Sequence, residues 1–267
     1  WPRQFGTAYD DTPTALTVNG ADDIFIAGNS NTLDPKGRDI FVQKFAADGT
    51  VGWTRILGTT FNEGVFSIVA DNVDGLYLTG LTAGTLDGVN NGLNDILLAK
   101  LSQIDGSAVW LRQYGTTANE SGRVVLTVLS GPDGFLYVIG TTYGDLDGII
   151  NEGQMPLPKG GKTADVFVSR FDLNGNRLST RLFGSVTDNW MPVGAVISPE
   201  GTLHIAGNVQ RLNQDYSYID QEIFLLSVNY DGLTAYAACD CDEGYIPEEL
   251  SCSVCYEGWS ETQLCGW

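Results

Sequence analysis

Apolar residues run along most of the chain in short alternating stretches, broken by Gly, Asp and Asn, and no segment sustains a helical period. The pattern predicts strands and tight turns with almost no helix. It also repeats. WPRQFGT at 1–7, WTRILGT at 53–59, WLRQYGT at 110–116 and TRLFGS at 180–185 are one segment met four times, with Gly6, Gly58, Gly115 and Gly184 in register. A second segment ends at Gly28, Gly80, Gly140 and Gly207 (IFIAG, LYLTG, LYVIG, LHIAG), and a third opens at Asp39, Asp95, Asp165 and Glu222 (DIFVQKF, DILLAKL, DVFVSRF, EIFLLSV). Asp48–Gly49, Asp105–Gly106, Asn174–Gly175 and Asp231–Gly232 follow as turns. Such pairs suit two-residue hairpin turns in which both central residues take positive φ.

Each unit reads as four strands, which in the second are expected near 65–71, 75–81, 95–102 and 108–114. The third strand is apolar on both sides, Ile96 and Leu98 on one and Leu97, Ala99 and Leu101 on the other, so both faces need a cover. Four-stranded blades stacked around an axis supply one. The expected class is therefore all-β, a β-propeller of four repeats at about 1–52, 53–109, 110–179 and 180–237.

Taken in order, the three motifs resemble the SBBP-type β-propeller repeat family of bacterial surface and secreted proteins, over residues 1 to about 237. Phe25, Tyr77, Tyr137 and His204 stand in the aromatic position of that pattern, and Lys44, Lys100 and Arg170 in its basic one. The last copy departs from it: His204 replaces the aromatic, Ser227 the basic residue and Thr180 the Trp, as expected of a terminal repeat. The resemblance implies a fold and an extracellular setting, not an activity. Trp1 opens the chain with a fourth-strand segment. Either it completes the last blade and closes the ring, which removes exposed edges, or it belongs to an earlier repeat; closure is the favoured expectation. A chain opening on Trp rather than Met also reads as processed or excised.

Composition sharpens this picture at two points. With 33 acidic and 14 basic residues the net charge is −19, which argues against nucleic acid or anionic membrane as partner and suits a cationic partner or divalent ions. No apolar run is long enough to span a membrane. All five cysteines, Cys239, Cys241, Cys252, Cys255 and Cys265, fall in a short tail at 238–267 that is too small to bury a core without staples. Cys241 to Tyr245 and Cys255 to Trp259 share a C-x-x-G-aromatic unit, and the tail resembles part of an EGF-like module. That resemblance implies disulfides, Cys241 with Cys252 and Cys255 with Cys265, leaving Cys239 for a partner elsewhere. A four-thiolate zinc site from Cys239, Cys241, Cys252 and Cys255 is the competing reading.

Candidate chemistry is sparse. His204 is the one histidine and hence the one base available to a Ser-His-Asp centre, but its repeat position marks it as a packing side chain. Asp145 and Asp147, near Asn151 and Glu152, resemble a fragment of a calcium loop, and TLD at 32–34, TLDG at 85–88 and Leu212–Asn213 occupy the same place in the other repeats. Asp in a turn equally serves its own backbone. A paired-carboxylate hydrolase is the third reading, against which the acids recur by repeat and so suggest a structural duty. Each of Asp39, Asp95 and Asp165 is expected to cap its strand by accepting backbone N–H bonds, and each Lys44, Lys100 or Arg170 to reach a neighbouring blade. Asn119-Glu120-Ser121 is a glycosylation sequon expected to be exposed. Together these features favour a non-catalytic extracellular structural or adhesive protein of a surface layer, filament or matrix. Its partners would be other extracellular proteins, further copies of itself or flanking domains of a longer chain. The alternative is a propeller that binds carbohydrate or peptide. No cofactor motif is present.

Overall fold

The computed structural model describes residues 1–31, 37–128, 134–151, 163–212, 218–228 and 235–238. The five cysteines, the TLD at 32–34, Glu152, Asn213 and the Asp231–Gly232 turn lie outside them. The described chain is all-β. Its strands form four antiparallel four-stranded meanders in chain order. The first holds β1 (Asp11–Val18), β2 (Ile24–Ser30), β3 (Asp39–Phe45) and β4 (Val51–Leu57). The second holds β5 (Glu63–Ala70), β6 (Gly75–Thr82), β7 (Asp95–Ser102) and β8 (Ala108–Tyr114). The third holds β9 (Glu120–Val128), β10 (Phe135–Thr142), β11 (Asp165–Asp172) and β12 (Arg177–Phe183). The fourth holds β13 (Asp188–Ile197), β14 (Leu203–Leu212), β15 (Tyr218–Val228) and β16 (Ala235–Ala238). The one helical turn among the described residues is a 3-10 turn at Leu146–Gly148.

Two compact units divide the chain, one of Trp1–Asn151 with Phe167–Leu182, the other of Glu152–Val166 with Phe183–Trp267. Within the first unit the sheets stack: β5 packs on β1, β2 and β3, and β9 packs on β5, β6 and β7. The two-sided third strand explains why. Leu97, Ala99 and Leu101 share a core with Phe25, Ala27, Ile40 and Val42 of the first sheet. Ile96 and Leu98 share another with Val125, Val138 and Phe167 of the third. Every one of the five β7 residues is fully buried. Complete burial of such a side chain stabilises by about 1.5–3 kcal/mol, so sheet-on-sheet contact carries most of the driving force here.

The turns differ from expectation. Gly49, Gly106 and Gly175 have φ of 82°, 72° and 78°, but Asp48, Asp105 and Asn174 do not enter the left-handed region. The Gly49 N–H donates to the Ala46 carbonyl and the Ala46 N–H to the Thr50 carbonyl, closing a turn in which glycine alone takes positive φ. The aspartates serve by accepting: Thr50 N–H donates to Asp48 Oδ1 at 2.8 Å and Ser107 N–H to Asp105 Oδ1 at 2.9 Å.

Ring closure by Trp1 is also corrected. β16 fills the fourth-strand place of the last sheet, pairing Ala235–Ala238 with Val228–Leu225. The Trp1–Gly6 segment lies outside every sheet. Counting back from Gly184 further puts Ser179, not Thr180, at the tryptophan position of the last copy.

Candidate functional site

The repeated acids and glycines form one device. A Cβ on Gly58, Gly115 or Gly184 would collide with Oδ1 of Asp39, Asp95 or Asp165 respectively. These three glycines, which directly follow β4, β8 and β12, are therefore sockets for the carboxylates that open the third strands of the same sheets. Asp39 and Asp95 are fully buried and Asp165 is 1% exposed. Asp95 Oδ2 accepts from Asn91 N–H and Gln113 Nε2, both at 2.9 Å, which meets the expected capping of the preceding loop. A second acid lies beyond each glycine. Thr59 donates through N–H and Oγ1 to Glu63, Thr116 does the same to Glu120, and Thr7 to Asp11. Ser185 with Asp188 is the shorter version. Burial, reinforced by nearby Asp95, pushes the Glu120 carboxyl above its ordinary range against the opposing pull of its Thr116 and Thr142 bonds. Asp11, Glu63 and Glu120 each stand four places after a threonine, a spacing that the sequence itself displays.

The W-x-R motif is a clasp between sheets. Trp53 on β4 donates Nε1 to the Gln103 carbonyl at 3.1 Å, and its ring lies on Gly106 in the β7–β8 turn. Trp110 on β8 donates to the Leu173 carbonyl, and Arg112 Nε to the Gly175 carbonyl, in the β11–β12 turn. Trp1 and Arg3 repeat both bonds on Ala47 and Gly49 in the β3–β4 turn. Trp1–Gly6 thus sits on the first sheet as β4 sits on the second. Lys44 reaches the second sheet as expected, donating to the Gln103 carbonyl at 3.1 Å while pairing with Asp23 at 2.8 Å.

The remaining sequence candidates are held apart. Asp145 Oδ1 accepts from Asn151 N–H at 2.8 Å, whereas Asp147, at φ 58°, pairs with Arg177 and accepts from Thr180. The two carboxylates thus face different partners. Among the described residues no group of three or more His, Cys, Asp or Glu gathers around one point. Asn119 is half-buried rather than exposed, because its Oδ1 accepts from Asn94 Nδ2 at 2.9 Å and Ser121 is buried in β9. His204 Nδ1 lies 2.8 Å from Ser227 Oγ. These two are cross-strand partners, as are Phe25 with Lys44 and Tyr77 with Lys100. In the latter pairs the ammonium lies 5.5 and 5.2 Å over the ring. The His–Ser bond thus takes the place of a cation–π pair. A base that activates serine also needs an orienting acid, and among the described residues no carboxylate bonds this ring.

One cavity, of about 250 Å³, opens on the first sheet where Trp1–Gly6 crosses it. Phe5, Phe41 and Ile56 line it with apolar surface, and Asp11, Gln43 and Thr54 add polar groups. Thr54 Oγ1 donates to Gln43 Oε1 at 2.7 Å, fixing that amide.

Neither the family models nor the curated proteins match this chain. Among solved structures it is similar to the subtype N10 neuraminidase-like protein of A/little yellow-shouldered bat/Guatemala, at 8% identity and a TM-score of 0.43, covering 81% of this chain and 59% of that one. It is also similar to a Synechocystis apocarotenoid oxygenase, at 7% identity and a TM-score of 0.40, covering 84% and 58%. The chain spans less than two thirds of the length of either, and likeness at this level has no bearing on activity.

Proposed function

We propose that this chain is a non-catalytic structural or adhesive protein of the extracellular surface, built on propeller-type repeats and ending in a disulfide-bonded tail. The observation that carries the reading is the employment of the acids. Asp39, Asp95 and Asp165 are buried against Gly58, Gly115 and Gly184, and Glu63 and Glu120 are bonded to threonines, so the groups best suited to acid–base work are spent on holding sheets. The net charge of −19 suits a cationic extracellular partner. To test this, the full chain is offered to matrix and cell-envelope preparations, and separately to panels of glycoside, ester and peptide substrates. Saturable binding without turnover is expected; turnover that Glu63→Gln or Glu120→Gln abolishes while the fold survives would refute it.

The cavity supports a second reading, binding of a carbohydrate or peptide. An apolar floor with a few fixed polar groups is the common make-up of a ligand site. Binding of a glycan or peptide from an array, lost in Phe41→Ala, would favour this reading over the first.

A further inference from the structure

The two faces of a repeat sheet are not equivalent. On the second sheet, Leu76, Leu78, Leu97 and Ala99 form the leading face that packs on the first sheet, and all are fully buried. Tyr77, Ile96 and Leu98 form the trailing face that packs on the third sheet. The register places Ile24, Ile26, Phe41 and Gln43 on the leading face of the first sheet, with Leu16 where the second sheet has Ile68. There the Phe5 and Trp1 rings cover Phe45, and Phe41 and Gln43 are buried, while Ile24 and Ile26 stay half-buried. Leu16 is 67% exposed, whereas Ile68 is buried.

The fourth sheet, taken by itself, presents the opposite case. Ile223 and Leu225 hold the register of Ile96 and Leu98, two fully buried residues, yet they are 83% and 46% exposed. Val196, on the same face of β13 with β14 between, is also exposed. Each sheet taken within its own unit, the first keeps the Leu16, Ile24 and Ile26 part of its leading face uncovered, and the fourth its trailing face, the two kinds of face that pack on each other between the first and second sheets.

The geometry points to head-to-tail self-association, in which the trailing face of the fourth sheet in one copy docks on the leading face of the first sheet in another. The contact continues the packing that already joins the first sheet to the second. It rests on the reading of the chain as an assembling structural protein, and names its partner as a second copy. Because the two faces differ, the contact is heterologous and builds a ring or an open filament rather than a two-fold dimer. Tyr236 pairs with Ser227 in the register at which Trp110 pairs with Lys100. β16 of the docking copy and Trp1–Gly6 of the receiving copy then compete for one place, and the four-residue β16 is the one that yields.

Sedimentation velocity of the full chain over a concentration series tests this, at about 0.15 M salt so that repulsion between the acidic copies is screened. The expected result is a sedimentation coefficient that rises with concentration. Leu16→Asp and Ile223→Asp each abolish that rise, since each buries a carboxylate in the contact. Their equimolar mixture restores a species of two chains and stops there, because each variant keeps the face the other lacks. Both sites are exposed, and unchanged thermal midpoints confirm folding; Leu16→Gln and Ile223→Gln serve if either Asp variant unfolds. A chain that stays monomeric at every concentration would overturn the proposal, as would variants that associate normally or a mixture that behaves as its parts. Matrix binding by a chain that never self-associates would sink this inference and leave the adhesive reading standing.

Discussion

Alanine at Gly115 should destabilise the protein by about 2 kcal/mol, and alanine at Asp95 should remove most of that penalty. Gly115 lies outside the left-handed region, so its backbone accepts alanine. At such a site the substitution alone stabilises by about 0.4–1 kcal/mol through the unfolded chain. The socket reverses the sign. The new Cβ would collide with Asp95 Oδ1 and stand 2.8 Å from Glu120 Oε2. Neither carboxylate can retreat freely, since Asn91 and Gln113 hold the first and Thr116 and Thr142 the second. Overpacking of this kind costs about 1–3 kcal/mol, and stretching a charged hydrogen bond takes part of a further 1.5–3 or so. Asp95→Ala alone leaves the Asn91 N–H and the Gln113 amide without their acceptor, a loss of about 1–3 kcal/mol, offset in part by relief of Glu120. In the double variant the collision with Asp95 is gone, and the second substitution costs about 1 kcal/mol or less. Urea unfolding of the four proteins of the cycle, with m-values compared, measures the coupling. Additivity to within about 0.5 kcal/mol would mean that the glycine and the acid do not share a socket.

Three further outcomes are expected. Trp53→Ala, which loses the Gln103 bond and the cover on Gly106, should approach the roughly 3–5 kcal/mol of a buried tryptophan truncation. Trp1→Ala, at a 56% exposed ring, should cost much less in the same urea assay. Because burial raises the folded-state pKa of Glu120 above its unfolded value, its contribution is full below the ordinary value of 4.5 and is lost as pH rises through the folded pKa. The thermal midpoint of wild type relative to Glu120→Gln should therefore fall from acid to neutral pH, and a constant difference would contradict the burial. Intact-mass analysis with and without reductant should show two disulfides among Cys239, Cys241, Cys252, Cys255 and Cys265; four free thiols or bound zinc would remove the case for an extracellular tail.

The sheets were legible because their signals are local. The strands expected at 65–71, 75–81, 95–102 and 108–114 appear at Glu63–Ala70, Gly75–Thr82, Asp95–Ser102 and Ala108–Tyr114, and the two faces of β7 divide between two cores as alternation requires. The glycines were visible as repeats, but their reason was not. Gly58 and Asp39, like Gly184 and Asp165, meet across two strands, and nothing in either segment alone reveals the contact. The exposure expected of Asn119 failed for a similar cause, since Asn94 lies across an inter-loop bridge. Asp145 and Asp147 look paired in sequence, yet the positive φ at Asp147 turns it toward Arg177.

The tryptophan clasps give the stack a direction. Trp53 closes over the turn of the sheet that follows it, and Trp110 does the same one sheet on. Peeling away the first sheet uncovers the β7–β8 turn of the second and strips its Gln103 carbonyl of two donors, Trp53 and Lys44. Peeling from the other end releases a tryptophan but leaves the sheet behind it with its own turn still covered. Pulled from its N-terminal end, such an array should come apart in sequence like a zip, each opened sheet weakening the next, whereas tension from the far end meets sheets whose turns remain locked.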